Sequence, residues 1–235
     1  MWKSPVSEVY SLLPPAVVGL QITDSVKLFP VRRIFCIGRN YSDHVREMGG
    51  NSNKDFPIIF TKPADAVVAD GSKVEYPLSC KSLHHEVELV VAIDKPLRQD
   101  DEDAAAKAVF GLAVGVDLTR RDLQKEAKKS GLPWDCAKAF DQSAPISAIK
   151  PVRVLPAVLQ GEISLSVNTQ VRQRGDLKQM IWSVPQILSH LSNYFELLPG
   201  DLVFTGTPAG VGVLVSGDCV FASIAGVGSL QFQIA

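Results

Sequence analysis

The chain has 235 residues, of which 46% are hydrophobic and 21% charged, and its formal net charge is −1. This composition predicts one globular domain, because β-rich domains commonly reach this length. The near-neutral charge and the lack of a basic run argue against nucleic acid as a partner, and no apolar run approaches the length that spans a membrane. Scattered cysteines, and a first segment that matches neither a secretory nor a transit pattern, indicate a cytoplasmic location.

A histidine and a glutamate share one face of the first predicted helix. Residues 1–28 are expected to be an irregular or weakly strand-forming lead-in, because prolines prevent a long helix there. A buried strand is predicted over 31–38, followed by a short helix in which His44 and Glu47 lie three residues apart. They are within hydrogen-bonding reach of each other or of a common target, unless they form an ordinary surface pair. Residues 49–53 are predicted to be flexible, as a hinged lid requires.

Two glutamates mark the start of a strongly apolar strand. Side chains of the segment 83–93 alternate between two faces, so Glu86 and Glu88 are neighbours on one face. Two carboxylates that lead into an uncharged run repel each other unless a positive charge lies between them. A hard divalent cation such as Mg²⁺, Mn²⁺ or Ca²⁺ would supply that charge, whereas the scattered cysteines argue against structural zinc. A solvated edge strand is the alternative that the spacing leaves open.

A second nearly uncharged strand ends at Asp117, which is therefore a candidate third ligand. Thr119 and Asp122 resemble a capping box that opens the following helix. Such a helix would direct its first amide groups, with Arg121 and Gln124, toward the same space and would suit an anionic ligand. A charged helix that simply faces solvent is the alternative.

Two later segments add candidates. Lys138 lies among small and aromatic residues in a stretch predicted to be irregular, and it is a candidate substrate clamp, although most lysines are solvated. The glycine-rich loop over 205–212 follows a short strand. It lacks the lysine of a phosphate loop and does not fit the dinucleotide-binding pattern, so its backbone amides are expected to approach a small ligand instead.

Taken together, these segments resemble the fumarylacetoacetate hydrolase family, in its small single-domain branch of acylpyruvate hydrolases, fumarylpyruvate hydrolases and oxaloacetate tautomerases or decarboxylases. The resemblance extends from about Phe29 to the C-terminus. It is carried by an ordered set of motifs, namely Arg39-Asn40-Tyr41, Phe60-Thr61-Lys62-Pro63, His84-His85-Glu86-Val87-Glu88-Leu89, Asp117-Leu118-Thr119-Arg120-Arg121-Asp122-Leu123-Gln124, Gly131-Leu132-Pro133-Trp134, Lys138-Ala139-Phe140-Asp141 and Thr205-Gly206-Thr207-Pro208.

The resemblance implies an α+β, predominantly β fold, in which residues 29–235 form one catalytic domain. The fold would be a rolled mixed β-sheet of the sandwich type, with a few peripheral helices and a short lid helix. A homodimer is also implied. The resemblance implies a Mg²⁺ or Mn²⁺ ion held by Glu86, Glu88 and Asp117. It implies a catalytic lid dyad of His44 and Glu47, and substrate-binding groups at Arg121, Gln124, Lys138 and Thr207. Of these groups, Gln124 and Lys138 would also serve catalysis.

The implied activity is on small 2-oxo acids, with the metal stabilising the negative charge of an enolate. Hydrolysis of the carbon–carbon bond of an acylpyruvate, with His44 as the base that activates water, is the leading prediction. Oxaloacetate enol–keto tautomerisation is the close alternative, because the same metal site could carry it out without an attacking water. Decarboxylation of oxaloacetate could accompany this activity. A 2-hydroxyhepta-2,4-diene-1,7-dioate isomerase is a lesser one, since the larger enzymes of that kind often carry duplicated domains and no internal repeat is seen here. The intact His44–Glu47 pair argues against a non-catalytic binding protein.

Overall fold

The computed structural model describes residues 11–47, 49, 57–156 and 159–235. The strands in this part of the chain are β1 (Gly19–Gln21), β2 (Leu28–Pro30), β3 (Arg33–Gly38), β4 (Ile58–Lys62), β5 (Val67–Ala69), β6 (Lys73–Val74), β7 (Leu83–His85), β8 (Val87–Ile93), β9 (Val109–Val116), β10 (Thr119–Arg120), β11 (Ala144–Ile146), β12 (Lys150–Pro151), β13 (Glu162–Val167), β14 (Gln170–Asp176), β15 (Asp201–Phe204), β16 (Gly212–Leu214), β17 (Cys219–Ile224) and β18 (Gly228–Ile234). The helices are α1 (Ser42–Glu47), α2 (Glu102–Lys107), α3 (Arg121–Ser130), α4 (Asp135–Lys138) and α5 (Val184–Ser192), with 3₁₀ turns at Ala64–Ala66 and Leu177–Gln179.

Two large sheets form most of the fold. The eight-stranded sheet has the order β4-β3-β15-β8-β9-β11-β5, with β12 beside β9, and the five-stranded sheet has the order β14-β13-β17-β18-β6. Parallel pairs such as β15 with β3 and β18 with β6 occur among antiparallel ones, so both sheets are mixed. Smaller sheets are formed by β1 with β2 and by β10, β7 and β16. The predicted fold, predominantly β with a curled mixed sheet and few helices, is confirmed.

Strand β8 lies within the larger sheet and is buried along its whole length. Val87, Leu89 and Val91 belong to one apolar cluster, whereas Val90 and Ala92 belong to a second cluster. This confirms the predicted alternation of faces, because successive side chains of a strand point to opposite sides of the sheet. Since both faces of β8 are covered, the alternative of a solvated edge strand is wrong.

Helix α3 begins without the predicted capping box. Its N-terminal boundary residue is Arg120, and no side chain caps the helix there. The hydroxyl group of Thr119 accepts a hydrogen bond from Lys138 Nζ at 2.6 Å, and the carboxylate of Asp122 accepts one from the backbone N–H of Lys81 at 2.9 Å. The capping-box prediction was wrong because tertiary partners engage both side chains.

Regular structure occurs in the segment around Lys138, which was expected to be irregular, and in the lead-in, which was expected to be irregular or weakly strand-forming. Lys138 lies at the end of the short helix α4. Within the predicted lead-in, residues 1–28, strand β1 pairs with β2 and buries Leu20. The predicted flexible segment 49–53 lies, apart from Gly49, outside the described residues. In the described part of the chain, no helix is both long and apolar enough to cross a membrane.

Candidate active site and metal centre

The register between β8 and β9 brings three carboxylates together. Val87 pairs with Val116 at the ends of the two strands, and the N–H of Asp117 donates a hydrogen bond to the carbonyl of Glu86 at 2.8 Å. Glu88 lies two residues further along the same side of the chain. All three acidic side chains are buried, and one carboxylate oxygen of each lies within 4.8 Å of the others. The three carboxylates therefore lie close together, as the sequence predicted.

A backbone amide from the glycine-rich loop holds the second glutamate. Gly206 N–H donates a hydrogen bond to Glu88 Oε2 at 2.7 Å. A side chain at Gly206 would be strained, because its φ is +97° and an added Cβ would lie 2.7 Å from Asn40 Cβ. The amide of Gly210 in turn donates to the carboxylate of Glu47 at 3.1 Å. The loop therefore uses two of its amides on protein carboxylates, where the sequence had suggested a bound ligand.

Two basic side chains neutralise part of this cluster. Lys138 Nζ donates hydrogen bonds to Glu86 Oε2 at 2.7 Å and to Asp117 Oδ2 at 2.5 Å. Arg121 pairs with Glu86 and donates to Gln124 Oε1 at 2.5 Å. Both cations are buried, so their interactions with the carboxylates are poorly screened by water. The predicted solvent-facing alternative for α3 is wrong at these two positions, because Arg121 and Gln124 face the site.

Lys62 is a site residue that the sequence reasoning missed. It is fully buried, and its Nζ lies 2.9 Å from Asp117 Oδ1. The same ammonium group donates to the carbonyl of Leu118 at 3.2 Å and to the carbonyl of Lys138. Lys62 falls within one of the family motifs, but a lysine at the end of an apolar strand gave no sign of its partners.

The carboxylates differ in their electrostatic surroundings. Burial acts to raise the pKa of Glu86, but the charges of Lys138 and Arg121 outweigh it and hold that pKa well below its usual range. Burial raises the pKa of Glu88 well above its usual range, and the negative charges of Asp117 and Glu86 add to this effect. Glu88 thus lacks a cation of its own among the described residues, since the ammonium of Lys138 donates to its two neighbours.

This donor set fits a hard divalent cation. Three carboxylates offer oxygen ligands, which Mg²⁺ and Mn²⁺ prefer. Asp117 Oδ1 is buried and accepts no hydrogen bond, because Lys62 lies close to it but outside hydrogen-bonding geometry. Glu88 is stabilised by a single amide group and would gain from a positive charge. We therefore expect Glu86, Glu88 and Asp117 to be the ligands.

Helix α1 places a histidine beside the same cavity. His44 Nδ1 lies 3.3 Å from Glu47 Oε2, as their spacing predicted. Burial lowers the pKa of His44, so the imidazole remains neutral to a lower pH than an exposed histidine. Eight of the nine predicted site residues line this cavity, namely His44, Glu86, Glu88, Asp117, Arg121, Gln124, Lys138 and Thr207. The ninth, Glu47, reaches the cavity through its contact with His44.

Gln173 is a second buried residue that the sequence reasoning missed. Its Oε1 accepts a hydrogen bond from the N–H of Val87 at 3.1 Å and lies 2.9 Å from His85 Nδ1. Its Nε2 donates to Thr207 Oγ1 at 2.8 Å and to the carbonyl of Pro208 at 2.9 Å. Gln173 therefore connects Val87, which lies between Glu86 and Glu88, to the loop that carries Thr207. An inward-facing glutamine in a strand gave no signal of this role.

Replacing Lys62 with methionine should destabilise the metal-free protein by about 3 kcal/mol, because removing one partner of a buried pair leaves the other unpaired. Two backbone carbonyls would lose their donor, and the Asp117 carboxylate would lose its ion pair with Lys62. Urea unfolding in EDTA measures this loss. The matched control is Lys73→Met at an exposed position of β6, expected within about 0.5 kcal/mol of the wild type. A Lys62→Met protein as stable as this control would contradict the assigned role.

The fold and the site define the class of the protein. A cavity lined by buried carboxylates, basic side chains and a histidine, within a mostly β fold, is characteristic of an enzyme that acts on a small polar molecule. Residues 33–235 match the family described as fumarylacetoacetate (FAA) hydrolase, C-terminal. The chain belongs to this family.

Individual relatives are similar over most of the chain. Oxaloacetate tautomerase FAHD1, mitochondrial, from Bos taurus is 43% identical over 203 residues, which cover 86% of this chain and 91% of the relative. Oxaloacetate tautomerase YcgM from Escherichia coli (strain K12) is 42% identical over 191 residues, covering 81% of this chain and 87% of the relative. The crystal structure of fumarylpyruvate hydrolase from Pseudomonas aeruginosa in complex with Mn²⁺ and pyruvate is 45% identical, with a TM-score of 0.93 over 97% of this chain and 99% of that chain.

Proposed function

We propose that this protein is a metal-dependent hydrolase that cleaves the carbon–carbon bond of acylpyruvates, which are 2,4-dioxo acids, and releases pyruvate. The observation that carries the proposal is the His44–Glu47 pair beside the cavity that holds the carboxylates and Lys138. Hydrolysis requires a base that removes a proton from the attacking water. Tautomerisation moves a proton between carbon and oxygen of the substrate and needs no attacking water. The similarity to the Pseudomonas aeruginosa fumarylpyruvate hydrolase, whose crystal holds Mn²⁺ and pyruvate, supports both the reaction and the metal.

The carboxylates of Glu86, Glu88 and Asp117 would hold Mg²⁺ or Mn²⁺. The bound ion would stabilise negative charge on the oxygens of the 2-oxo acid. Arg121 is positioned to bind the substrate carboxylate, because its guanidinium group lies beside this cluster. These residues fix one end of the substrate, and the acyl group then extends along the cavity.

His44 would take a proton from water through Nε2, because its Nδ1 faces Glu47. The water oxygen adds to the distal carbonyl, and Gln124 donates to the resulting oxyanion. Lys138 also donates to it, in exchange for one of its three hydrogen bonds to Glu86, Asp117 and Thr119. In other enzymes such a donor contributes about 10²–10³ in rate. The carbon–carbon bond then breaks, and its electron pair goes to the 2-oxo acid fragment. That fragment takes up a proton and leaves as pyruvate, while the acyl group leaves as a carboxylic acid.

Oxaloacetate tautomerase is the second candidate function. The similarity to relatives of that name, at 43% and 42% identity, favours it. The same site would need only to move a proton between the methylene carbon and the enol oxygen, without attacking water. Decarboxylation of oxaloacetate and the dioate isomerase activity remain lesser predictions. A homodimer and a cytoplasmic location are proposed on the family resemblance and the sequence pattern.

Ultraviolet absorbance of enol-oxaloacetate and of two acylpyruvates, acetylpyruvate and fumarylpyruvate, tests the proposal. Each is followed with purified protein, in Mg²⁺ and in EDTA, while the released pyruvate is measured. Rapid metal-dependent release of pyruvate from an acylpyruvate, with weak action on oxaloacetate, is expected. Rapid loss of enol-oxaloacetate without stoichiometric pyruvate, and without acylpyruvate cleavage, would instead establish the tautomerase.

A further inference from the structure

A bulge in strand β14 turns a glutamine toward the site. Gln173 is fully buried, whereas the other residues of β14 are exposed or half-buried. Val171 pairs with Ser166 of the neighbouring strand β13. The next pair joins Gln173 to the buried Leu165, so Arg172 is an extra residue without a partner on β13. Without this extra residue, an arginine would stand opposite Leu165. Bulges that redirect a side chain are frequent beside active sites.

The hydrogen bonds of the Gln173 amide fix its orientation. A backbone N–H only donates and a backbone carbonyl only accepts, so the amide oxygen faces Val87 and the amide nitrogen faces the carbonyl of Pro208. His85 Nδ1 lies 2.9 Å from the same oxygen and donates to it. The second N–H of the amide therefore points at Thr207 Oγ1, which is 2.8 Å away. In this contact the hydroxyl oxygen of Thr207 is the acceptor.

The hydroxyl group of Thr207 therefore retains its own proton to donate to another group. Thr207 is buried, and it lines the cavity that also holds the three carboxylates. Among the residues that the structure describes, this hydroxyl group donates to no acceptor. Its proton is thus available to a ligand in the cavity.

The glycine-rich loop is packed against β14 on both sides of Gln173. A Cβ atom at Gly210 would collide with the carbonyl oxygen of the bulged Arg172. On the other side, a Cβ atom at Gly175 would lie 2.8 Å from Pro208 Cβ. These close approaches hold the loop at a fixed distance from the strand. The contact between the glutamine and the threonine hydroxyl is therefore fixed by the backbone of both segments.

We propose that Gln173 is a positioning residue, which orients the Thr207 hydroxyl so that its proton faces an anionic oxygen of the bound 2-oxo acid. This proposal rests on the function proposed above, and specifically on the binding of a 2-oxo acid in this cavity. A carboxylate only accepts hydrogen bonds, so a hydroxyl that is committed as a donor stabilises it. A hydroxyl whose lone pairs faced the ligand would repel it. Gln173 thereby makes this position of the cavity selective for an acceptor.

Replacing Gln173 with glutamate reverses the contact while keeping the shape of the side chain. A carboxylate still accepts from Val87 and His85, but it cannot donate to Thr207, whose proton would turn toward it. Pyruvate is the probe, and isothermal titration calorimetry in saturating Mn²⁺ measures its affinity. Gln173→Glu should bind pyruvate at least about tenfold more weakly, because a charge-assisted hydrogen bond is lost. Gln170→Glu, at an exposed position of the same strand, is the matched control and should bind as the wild type.

A double-mutant cycle with Thr207→Val distinguishes positioning from repulsion by the new charge. If Gln173 acts through the hydroxyl group, Gln173→Glu should weaken pyruvate binding less than about threefold when Thr207 is already valine. A tenfold loss in both backgrounds, or wild-type affinity in Gln173→Glu, would overturn the proposal. Gln173→Met, which is uncharged, is carried through the same cycle, so the test does not depend on the protein tolerating a buried charge.

Mn²⁺ affinity is the second readout. It should not fall in Gln173→Glu, because Val87 keeps its acceptor between the two glutamates. A tenfold fall would overturn the proposal, since Gln173 would then act by holding the metal-binding strand. Pyruvate is not cleaved, so its binding does not depend on hydrolysis. Coupling between Gln173 and Thr207 in a protein that cleaves no acylpyruvate would support the positioning role while refuting the proposed hydrolase function.

Discussion

Replacing Glu88 with glutamine is expected to abolish tight binding of a divalent metal. Glu88 makes no ion pair among the described residues, so the contacts of Lys138 and Arg121 with the other carboxylates stay intact. A glutamine oxygen still accepts from Gly206 N–H, but the negative charge that attracts the metal is lost. Mn²⁺ affinity, measured by calorimetry, should fall at least about 10²-fold. Replacing a residue that only hydrogen-bonds to a metal ligand already lowers metal affinity by about 10–100-fold.

Thermal unfolding distinguishes this effect from a loss of structure. In EDTA, the Glu88→Gln protein should melt at or above the wild-type temperature, because a buried carboxylate without its own cation is removed. Added Mn²⁺ should raise the Tm of the wild type but not that of the variant, since only a protein that binds the ion is stabilised by it. Glu75→Gln, at an exposed position, is the control and should behave as the wild type. An undiminished Mn²⁺-induced rise in the Glu88→Gln protein would exclude Glu88 as a ligand.

Features that repeat along the chain were predictable from the sequence. The alternation of β8 placed Glu86 and Glu88 on one face, and the spacing of His44 and Glu47 placed them within contact distance. Asp117 was a candidate because it ends an uncharged strand, but its position beside Glu86 depends on the pairing of β8 with β9. Strand register is set by contacts distant in sequence, so the family resemblance was needed to join these pieces.

Buried polar side chains with distant partners were not predictable. Lys62 and Gln173 each satisfy several buried groups, yet a lysine or a glutamine in a strand is usually solvated. The capping box failed for the same reason, because Thr119 and Asp122 find better partners outside α3. Local propensity is a weak guide wherever a tertiary contact competes for the same side chain.

Replacing His44 with alanine should reduce acylpyruvate hydrolysis at least about 10²-fold, the usual effect of removing a general base. Enol–keto exchange of oxaloacetate should be much less affected, because no water needs to be activated. Pyruvate release and enol absorbance, measured on the same preparation, give the two rates. His190→Ala is the control, since His190 lies on α5 and does not line the cavity. Near-normal acylpyruvate cleavage by the His44→Ala protein would discard the water-activating role.

The pH profile tests whether Glu47 acts through His44. A general base must be neutral, so the rate of hydrolysis should fall as the pH drops through the pKa of His44, which burial places below 6.5. The hydrogen bond and the charge of Glu47 raise that pKa. Glu47→Gln should therefore lower kcat and also shift the acidic limb of the profile to lower pH. If Glu47 served only to hold the lid helix against Gly210, kcat would fall while the limb stayed where it is in the wild type.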